Sequence, residues 1–148
     1  MVSAFRFISL GAASFALIAC TETPGDISRD AQPFDAIAAD EAISVLGTEP
    51  FWNIGVTASG NGHSARYSTP ERPDGTSFPV SRFAGNNGLG FSGELEGRAV
   101  VLTITPGTCS DQMSDRDYPY TATLLLGDSA LQGCAFTSRE PYSEATPS

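Results

Sequence analysis

Short apolar runs separated by turn-forming residues are the feature that most constrains the fold of this chain. The breaks between the runs are rich in Gly, Asn and Asp, which tolerate the positive φ angles that tight hairpin turns require. From Val100 to Thr105 a more apolar face alternates with a less apolar one, a period of two that is typical of a half-buried strand. The runs that predict strands are Ser44–Leu46, Phe51–Ala58, His63–Thr69, Thr76–Phe83, Gly88–Leu95, Arg98–Thr105, Tyr120–Leu126 and Leu131–Phe136.

About eight such strands, spaced roughly ten residues apart, predict an all-β domain over residues 34–137, either a small antiparallel barrel or a sandwich. Closing the sheet would remove exposed strand edges, which invite pairing with other chains. No stretch has a helical period long enough to cover a parallel sheet, so an α/β fold is disfavoured. The Ala-rich residues 35–42 favour a short helical turn. The polar residues 138–148 predict a disordered tail.

The charge balance excludes two classes of partner. The chain has 148 residues with 17 acidic and 8 basic side chains, for a formal net charge of −9. Affinity for nucleic acid depends on basic groups that neutralise phosphates, so no nucleic-acid partner is expected. A polybasic attraction to anionic lipid headgroups is excluded for the same reason.

The N-terminus resembles the signal of a bacterial lipoprotein. Its apolar run, Phe7 to Leu17, is too short to cross a bilayer, which requires about 20 apolar residues. The run ends in a segment that resembles a lipobox, Leu17-Ile18-Ala19-Cys20. We expect residues 1–19 to be a cleaved signal helix, Cys20 to carry acyl chains, and residues 20–33 to be a flexible tether on the periplasmic side, at the outer membrane more than the inner. An ordinary signal peptide with a chance cysteine is the alternative.

The cysteine count points to one disulfide bond. With Cys20 assigned to the anchor, Cys109 and Cys134 remain, and two cysteines left in an oxidising periplasm most simply pair. The bridge would close a loop of about 25 residues. Two free buried thiols are the alternative. Metal ligation by these cysteines with the single histidine, His63, is less favoured.

Two longer motifs carry a resemblance to a known family. The first motif, GTEPFW, spans Gly47 to Trp52; the second, CSDQMSDRDYPY, spans Cys109 to Tyr120, and the tripeptide Gly133-Cys134-Ala135 follows. Together they resemble an uncharacterised family of bacterial envelope lipoproteins. The resemblance implies a secreted or lipid-anchored β domain without an assigned activity, and it supports pairing of the two motif cysteines. Where this chain has Gln112, glycine is the more frequent residue expected from the resemblance.

The acidic loop after Cys109 has two interpretations. Asp111, Asp115 and Asp117 supply hard oxygens that could bind calcium, although their spacing is not that of an EF-hand loop. Alternatively, Asp111 and Asp115 cap turns through their side chains, and Arg116 pairs with a neighbour. We favour the turn caps and therefore predict no metal and no cofactor.

Glu49 and Trp52 form a second candidate constellation. Desolvation by Trp52 could raise the pKa of Glu49 for acid–base catalysis with Asp111 or Asp115, as in glycoside cleavage. Alternatively, Trp52 is the largest side chain of the core, which we favour. Because the sequence has no recognisable nucleophile or phosphate-loop motif, we predict a binding module and no catalytic residue.

The resulting prediction is a lipid-anchored envelope protein that binds an envelope protein, a cell-wall component or a small molecule. One alternative is a hydrolase that uses Glu49 with an aspartate of residues 111–117. Another is an inhibitor of lysozyme: Ala58-Ser59-Gly60 and Ser64–Tyr67 resemble, out of register, a loop of membrane-bound lysozyme inhibitors, and an acidic domain is steered toward a basic enzyme. The candidate binding residues are Glu49, Trp52, Asp111, Met113, Asp115 and Tyr118.

Overall fold

Left-handed turn residues join successive strands, as the glycine-rich breaks in the sequence predict. In the computed structural model, which describes residues 32–144, Gly60, Gly97 and Gly127 have φ angles of 56°, 79° and 60°. Each lies in a tight turn between two antiparallel strands. The strands are β1 (Ile43–Thr48), β2 (Phe51–Ser59), β3 (Gly62–Thr69), β4 (Arg72–Ala84), β5 (Leu89–Leu95), β6 (Arg98–Ser110), β7 (Arg116–Leu126), β8 (Ser129–Thr137) and β9 (Ser143–Glu144).

The first eight strands form a closed antiparallel barrel. Each of them pairs with the next along the chain, and β8 pairs with β1 from Ile43↔Thr137 to Leu46↔Cys134. The all-β prediction is confirmed, and of its two forms the barrel is the one observed. The expected signal helix and Cys20 lie outside the described residues. Within residues 32–144, no helix is long and apolar enough to cross a membrane.

The inward faces of the strands fill the barrel with apolar side chains. On β6, Val100, Leu102 and Ile104 are buried, whereas Val101 points outward and is exposed. This is the alternation that the sequence predicts. The largest buried side chains are Trp52, Phe91, Ile37, Ile54, Leu89, Leu102, Ile104 and Leu124.

A strap before β1 closes one part of the barrel without forming the expected helical turn. Ile37 is only 1% exposed and belongs to the core. The backbone N–H of Phe34 donates to Gly85 O at 2.7 Å, and Arg82 Nη2 donates to Ile37 O at 2.9 Å. These contacts hold the strap as bends and turns, because burial of Ile37 outweighs the weak helix propensity of a few alanines.

Glu41 joins this strap to the residues after β8. Its carboxylate accepts the backbone N–H of Ala38 at 3.1 Å and of Arg139 at 3.2 Å. Burial raises the pKa of Glu41, but the hydrogen bonds from Thr137, Ala38 and Arg139 outweigh it, so the pKa lies below its usual value. The buried carboxylate is therefore fully satisfied.

The residues after β8 are ordered farther than the sequence predicts. A disordered tail was expected from residue 138, yet β9 pairs with Arg116 and Asp117 of β7. Tyr142 packs against Tyr118 and Phe136, with ring centroids 5.5 Å and 5.2 Å away. The segment is polar except for Tyr142, and packing of this one aromatic ring is the physical reason why the segment is ordered.

Candidate functional site

The tip of the β6–β7 hairpin folds back over the outer wall of the barrel. Cys134 alternates with the core residue Ala135 and so points outward, yet it is only 2% exposed because the tip covers it. A disulfide joins Cys109 to Cys134 with a Cα–Cα distance of 5.5 Å, which confirms the predicted pairing. Thr48 Oγ1 also donates to Asp111 O at 3.3 Å. The tip is thus attached to both β8 and β1.

Asp111 organises the tip. Its carboxylate accepts the backbone N–H groups of Met113 at 3.0 Å and Ser114 at 2.8 Å, the Ser114 hydroxyl at 2.8 Å and the Tyr118 hydroxyl at 3.1 Å. The bonds from Ser114 and Met113 lower the pKa of Asp111 to about 2. The predicted turn cap is confirmed for this residue, and its oxygens are occupied by protein donors.

Asp115 does not share this role. It is exposed and makes no hydrogen bond or ion pair with another residue in the range 32–144. Its neighbour Arg116 contacts Glu144 at 3.3 Å and lies 4.3 Å from the Tyr142 ring centre. No group of three or more His, Cys, Asp or Glu side chains with metal-binding geometry occurs in the described part of the chain.

Gln112 has a backbone conformation that normally favours glycine. Its φ angle is 58°, in the left-handed region, and its N–H donates to Ser110 Oγ at 3.1 Å. This geometry gives a physical reason for glycine to be the expected residue here. In this chain Gln112 lines a groove beside the tip.

A groove of about 550 Å³ lies between this tip, the β1–β2 turn and the barrel wall. Among the predicted residues, Glu49, Asp111 and Met113 line it, and Met113 is 67% exposed. Outward-pointing residues of β1, β7 and β8 that no sequence motif singled out also line the groove: Leu46, Thr48, Thr121, Ala130 and Gln132. The period of two in the strands could have identified them as outward-facing, but not as neighbours of the tip.

Trp52 lies on the other side of the same wall. It is 0% exposed, belongs to the core, and does not line the groove. A Cβ atom at Gly47 would lie 2.0 Å from its Nε1, and one at Gly133 would lie 3.0 Å from its Cζ2. The indole therefore occupies space that two glycines leave open. Its Nε1 has no hydrogen-bond partner among the described residues.

Tyr118 is buried rather than available as a ligand platform. Its ring packs against Phe136 and Tyr142, at 5.9 Å and 5.5 Å between centroids, and its hydroxyl donates to Asp111. Burial raises the pKa of this phenol, and its bond to Asp111 acts in the same direction. The Tyr118 side chain therefore stabilises the tip through its packed ring and its hydrogen bond to Asp111.

The segments that resemble a lysozyme-inhibitor loop lie elsewhere. Ala58 and Ser59 end β2, Gly60 forms the following turn, and Ser64–Tyr67 belong to β3. None of them lines the groove.

The groove presents a mixture of amide, hydroxyl and carboxylate groups around one exposed thioether. Its rim is attached at two points, by the disulfide and by the Thr48–Asp111 hydrogen bond. Comparison of the chain with protein-family models, with curated proteins and with solved structures finds no match.

Proposed function

We propose that this protein is a lipid-anchored binding protein of the bacterial envelope, with acyl chains on Cys20 and its ligand in the groove beside the β6–β7 tip. The observation that carries the proposal is the groove itself, which gathers Glu49 and Met113 on a crosslinked frame. Its volume lies within the roughly 300–1,000 Å³ typical of small-ligand sites. The apolar run and lipobox-like segment before Cys20 support the anchor.

The ligand class follows from the lining. Gln112, Gln132, Thr48 and Thr121 offer amides and hydroxyls, which donate and accept hydrogen bonds. Glu49 adds a negative charge and makes no ion pair with another residue in the range 32–144. An anionic ligand is disfavoured in such a site. The groove suits a neutral or cationic segment rich in hydroxyl and amide groups, as in the glycan and peptide portions of cell wall.

Binding is better supported than hydrolysis. A glycosidase needs one carboxyl group that can donate a proton and a second that acts as base or nucleophile. Asp111 has a pKa of about 2 and four donors on its carboxylate, so it holds no proton at neutral pH. Trp52 is buried in the core and does not line the groove.

Photo-crosslinking in the native envelope tests the ligand. A photoreactive amino acid replaces Met113 in the groove, and the matched control replaces Thr57, an exposed residue on β2 that does not line the groove. We expect an adduct at position 113 that a muramidase shortens, and none at position 57. Equal adducts at both positions, or no muramidase-sensitive adduct at 113, contradict a wall ligand in this groove.

Fractionation of cells that produce Cys20→Ser tests the anchor. Without the thiol no acyl chain is attached, so the variant should leave the membrane fraction or accumulate uncleaved. Retention in the membrane at the mature size of the unaltered protein contradicts lipidation at Cys20.

A further inference from the structure

A second surface of the barrel is apolar and free of charge. It comprises the outward-facing Phe83 of β4, Gly90 and Ser92 of β5, and Val101 and Thr103 of β6, here called the Phe83 patch. Phe83 is 71% exposed, more than any other large hydrophobic side chain in residues 32–144. Gly90 lies directly opposite Phe83 and has no side chain to cover the ring. An exposed phenylalanine in a shallow, uncharged depression is typical of an interaction surface.

The Phe83 patch lies beside the point where the N-terminal segment joins the barrel. Gly85, two residues after Phe83, accepts the backbone N–H of Phe34 at 2.7 Å. Cys20 precedes Phe34 by 14 residues. Even a fully extended chain of that length spans at most about 50 Å. The segment that leads to Cys20 therefore joins the barrel beside the patch, since Gly85 also lines it, and acyl chains on Cys20 would bring this side of the barrel toward the lipid.

The opposite end of the barrel provides an internal comparison. β2 and β4 run in the same direction in the antiparallel meander, so Phe51 at the start of β2 and Phe83 near the end of β4 lie at opposite ends. Phe51 is also well exposed, at 50%. β4 has 13 residues and is roughly 40 Å long at 3.3 Å per residue. Because barrel strands tilt against the barrel axis, the two ends are closer together than that length.

The charge distribution selects the kind of surface that can cover the patch. The chain carries a net charge of −9, which opposes approach to an anionic membrane. None of the residues lining the patch is charged, so that side can approach a zwitterionic headgroup layer without stripping water from an ion. A weak contact is sufficient, because a tether to the same surface makes docking intramolecular.

We propose that the Phe83 patch docks the barrel on a zwitterionic phospholipid surface, with the Phe83 ring at the headgroup–acyl boundary. The proposal rests on the lipid anchor of the proposed function. β6 runs in the same direction as β4, so the β6–β7 tip lies at the Phe83 end of the barrel. The hydroxyl oxygens of Thr105, beside the patch, and Thr121, in the groove, are 2.7 Å apart. Docking therefore brings the groove close to the lipid surface.

Tryptophan quenching by brominated lipid tests the docking. The full chain is produced in bacteria as Phe83→Trp and as the matched control Phe51→Trp, and the processed proteins are reconstituted in phosphatidylcholine vesicles with brominated acyl chains. The single native tryptophan, Trp52, is fully buried and supplies a constant background. We expect the emission added by Trp at position 83 to be blue-shifted and quenched, and the emission added at position 51 to be neither.

Three results overturn the proposal in distinguishable ways. Vesicle-bound protein with equal, weak quenching at both positions shows that the anchor works and the patch does not dock. A blue shift at position 83 that depends on protein concentration, without quenching by lipid, shows that another protein copy covers the patch. If the unaltered protein does not float with vesicles, it carries no lipid anchor. This result contradicts both the proposed function and the docking.

Discussion

Substitution of Gly47 by alanine should destabilise the barrel strongly for a change of one methyl group. The new Cβ would lie 2.0 Å from Trp52 Nε1, 2.4 Å from Cε2 and 2.8 Å from Cδ1, whereas ordinary contacts begin at 3.4 Å. These atoms belong to a rigid ring that is 0% exposed, so the indole must move as a unit against a packed core. Overpacking of this kind costs about 1–3 kcal/mol, and the depth of the overlap places Gly47→Ala at the upper end.

Thermal and urea unfolding measure the effect, with two further variants to identify its cause. Gly55→Ala is the matched control, because a Cβ at Gly55 meets nothing within 4 Å and the residue also lies in a strand. Gly55→Ala should be neutral or stabilising by about 0.5–1 kcal/mol, since alanine has less freedom in the unfolded chain. In a Trp52→Leu background the cost of Gly47→Ala should largely disappear, because the two changes are coupled through one contact.

An equal cost of Gly47→Ala in both backgrounds would refute the steric argument. So would a melting temperature for Gly47→Ala that matches that of Gly55→Ala. Either result means that the indole is not seated on Gly47 as described.

Four further predictions concern the β6–β7 tip. Cys109→Ala and Cys134→Ala should each lower the free energy of unfolding by about 2–4 kcal/mol, and the double variant by little more; additive losses in urea titrations would argue against a shared bond. Gln112→Gly should raise stability by about 0.5–1 kcal/mol by relieving the left-handed conformation at φ 58°, and a lower melting temperature would show that no strain exists there. Because the pKa of Asp111 falls from 3.8 to about 2 on folding, its stabilising effect is present above pH 4 and is lost toward pH 2, so the stability gap between wild type and Asp111→Asn should narrow over that range. Since protein donors already occupy the Asp111 carboxylate, millimolar calcium and chelator should give the same melting temperature, and a rise in calcium would restore the metal interpretation.

The strands could be predicted from the sequence because their signals are local. Turn residues such as Gly60 and Gly97 mark the hairpins, and the predicted run Phe51–Ala58 matches β2 to within one residue. The choice between barrel and sandwich could not be made, because it depends on Ile43 pairing with Thr137 at the other end of the chain. The predicted run Arg98–Thr105 is shorter than β6, which continues to Ser110. At Pro106 the pairing register with β7 shifts, but the strand does not end there.

The candidate site was only partly predictable for a similar reason. Cysteine parity identified the pair Cys109 and Cys134, and the acidic loop drew attention to Asp111. The groove forms only because the tip folds back far enough for Thr48 to reach Asp111, a contact across 63 residues that no local pattern encodes. Whether Trp52 lay in the core or in a pocket was decided by Gly47, a cross-strand neighbour whose missing side chain makes the room.

Closure of the barrel by its first and last long strands has a kinetic consequence. Ile43 and Thr137 are 94 positions apart, so the seam is the contact of highest sequence separation in the sheet and the loop that costs most entropy to close. Each hairpin can form once both of its strands have been made. β1 can pair with β2 early, but its other edge stays unpaired until β8 is available. A chain that emerges from a translocation pore N-terminus first would therefore stay open until nearly all of it has passed, and would then close in one late step.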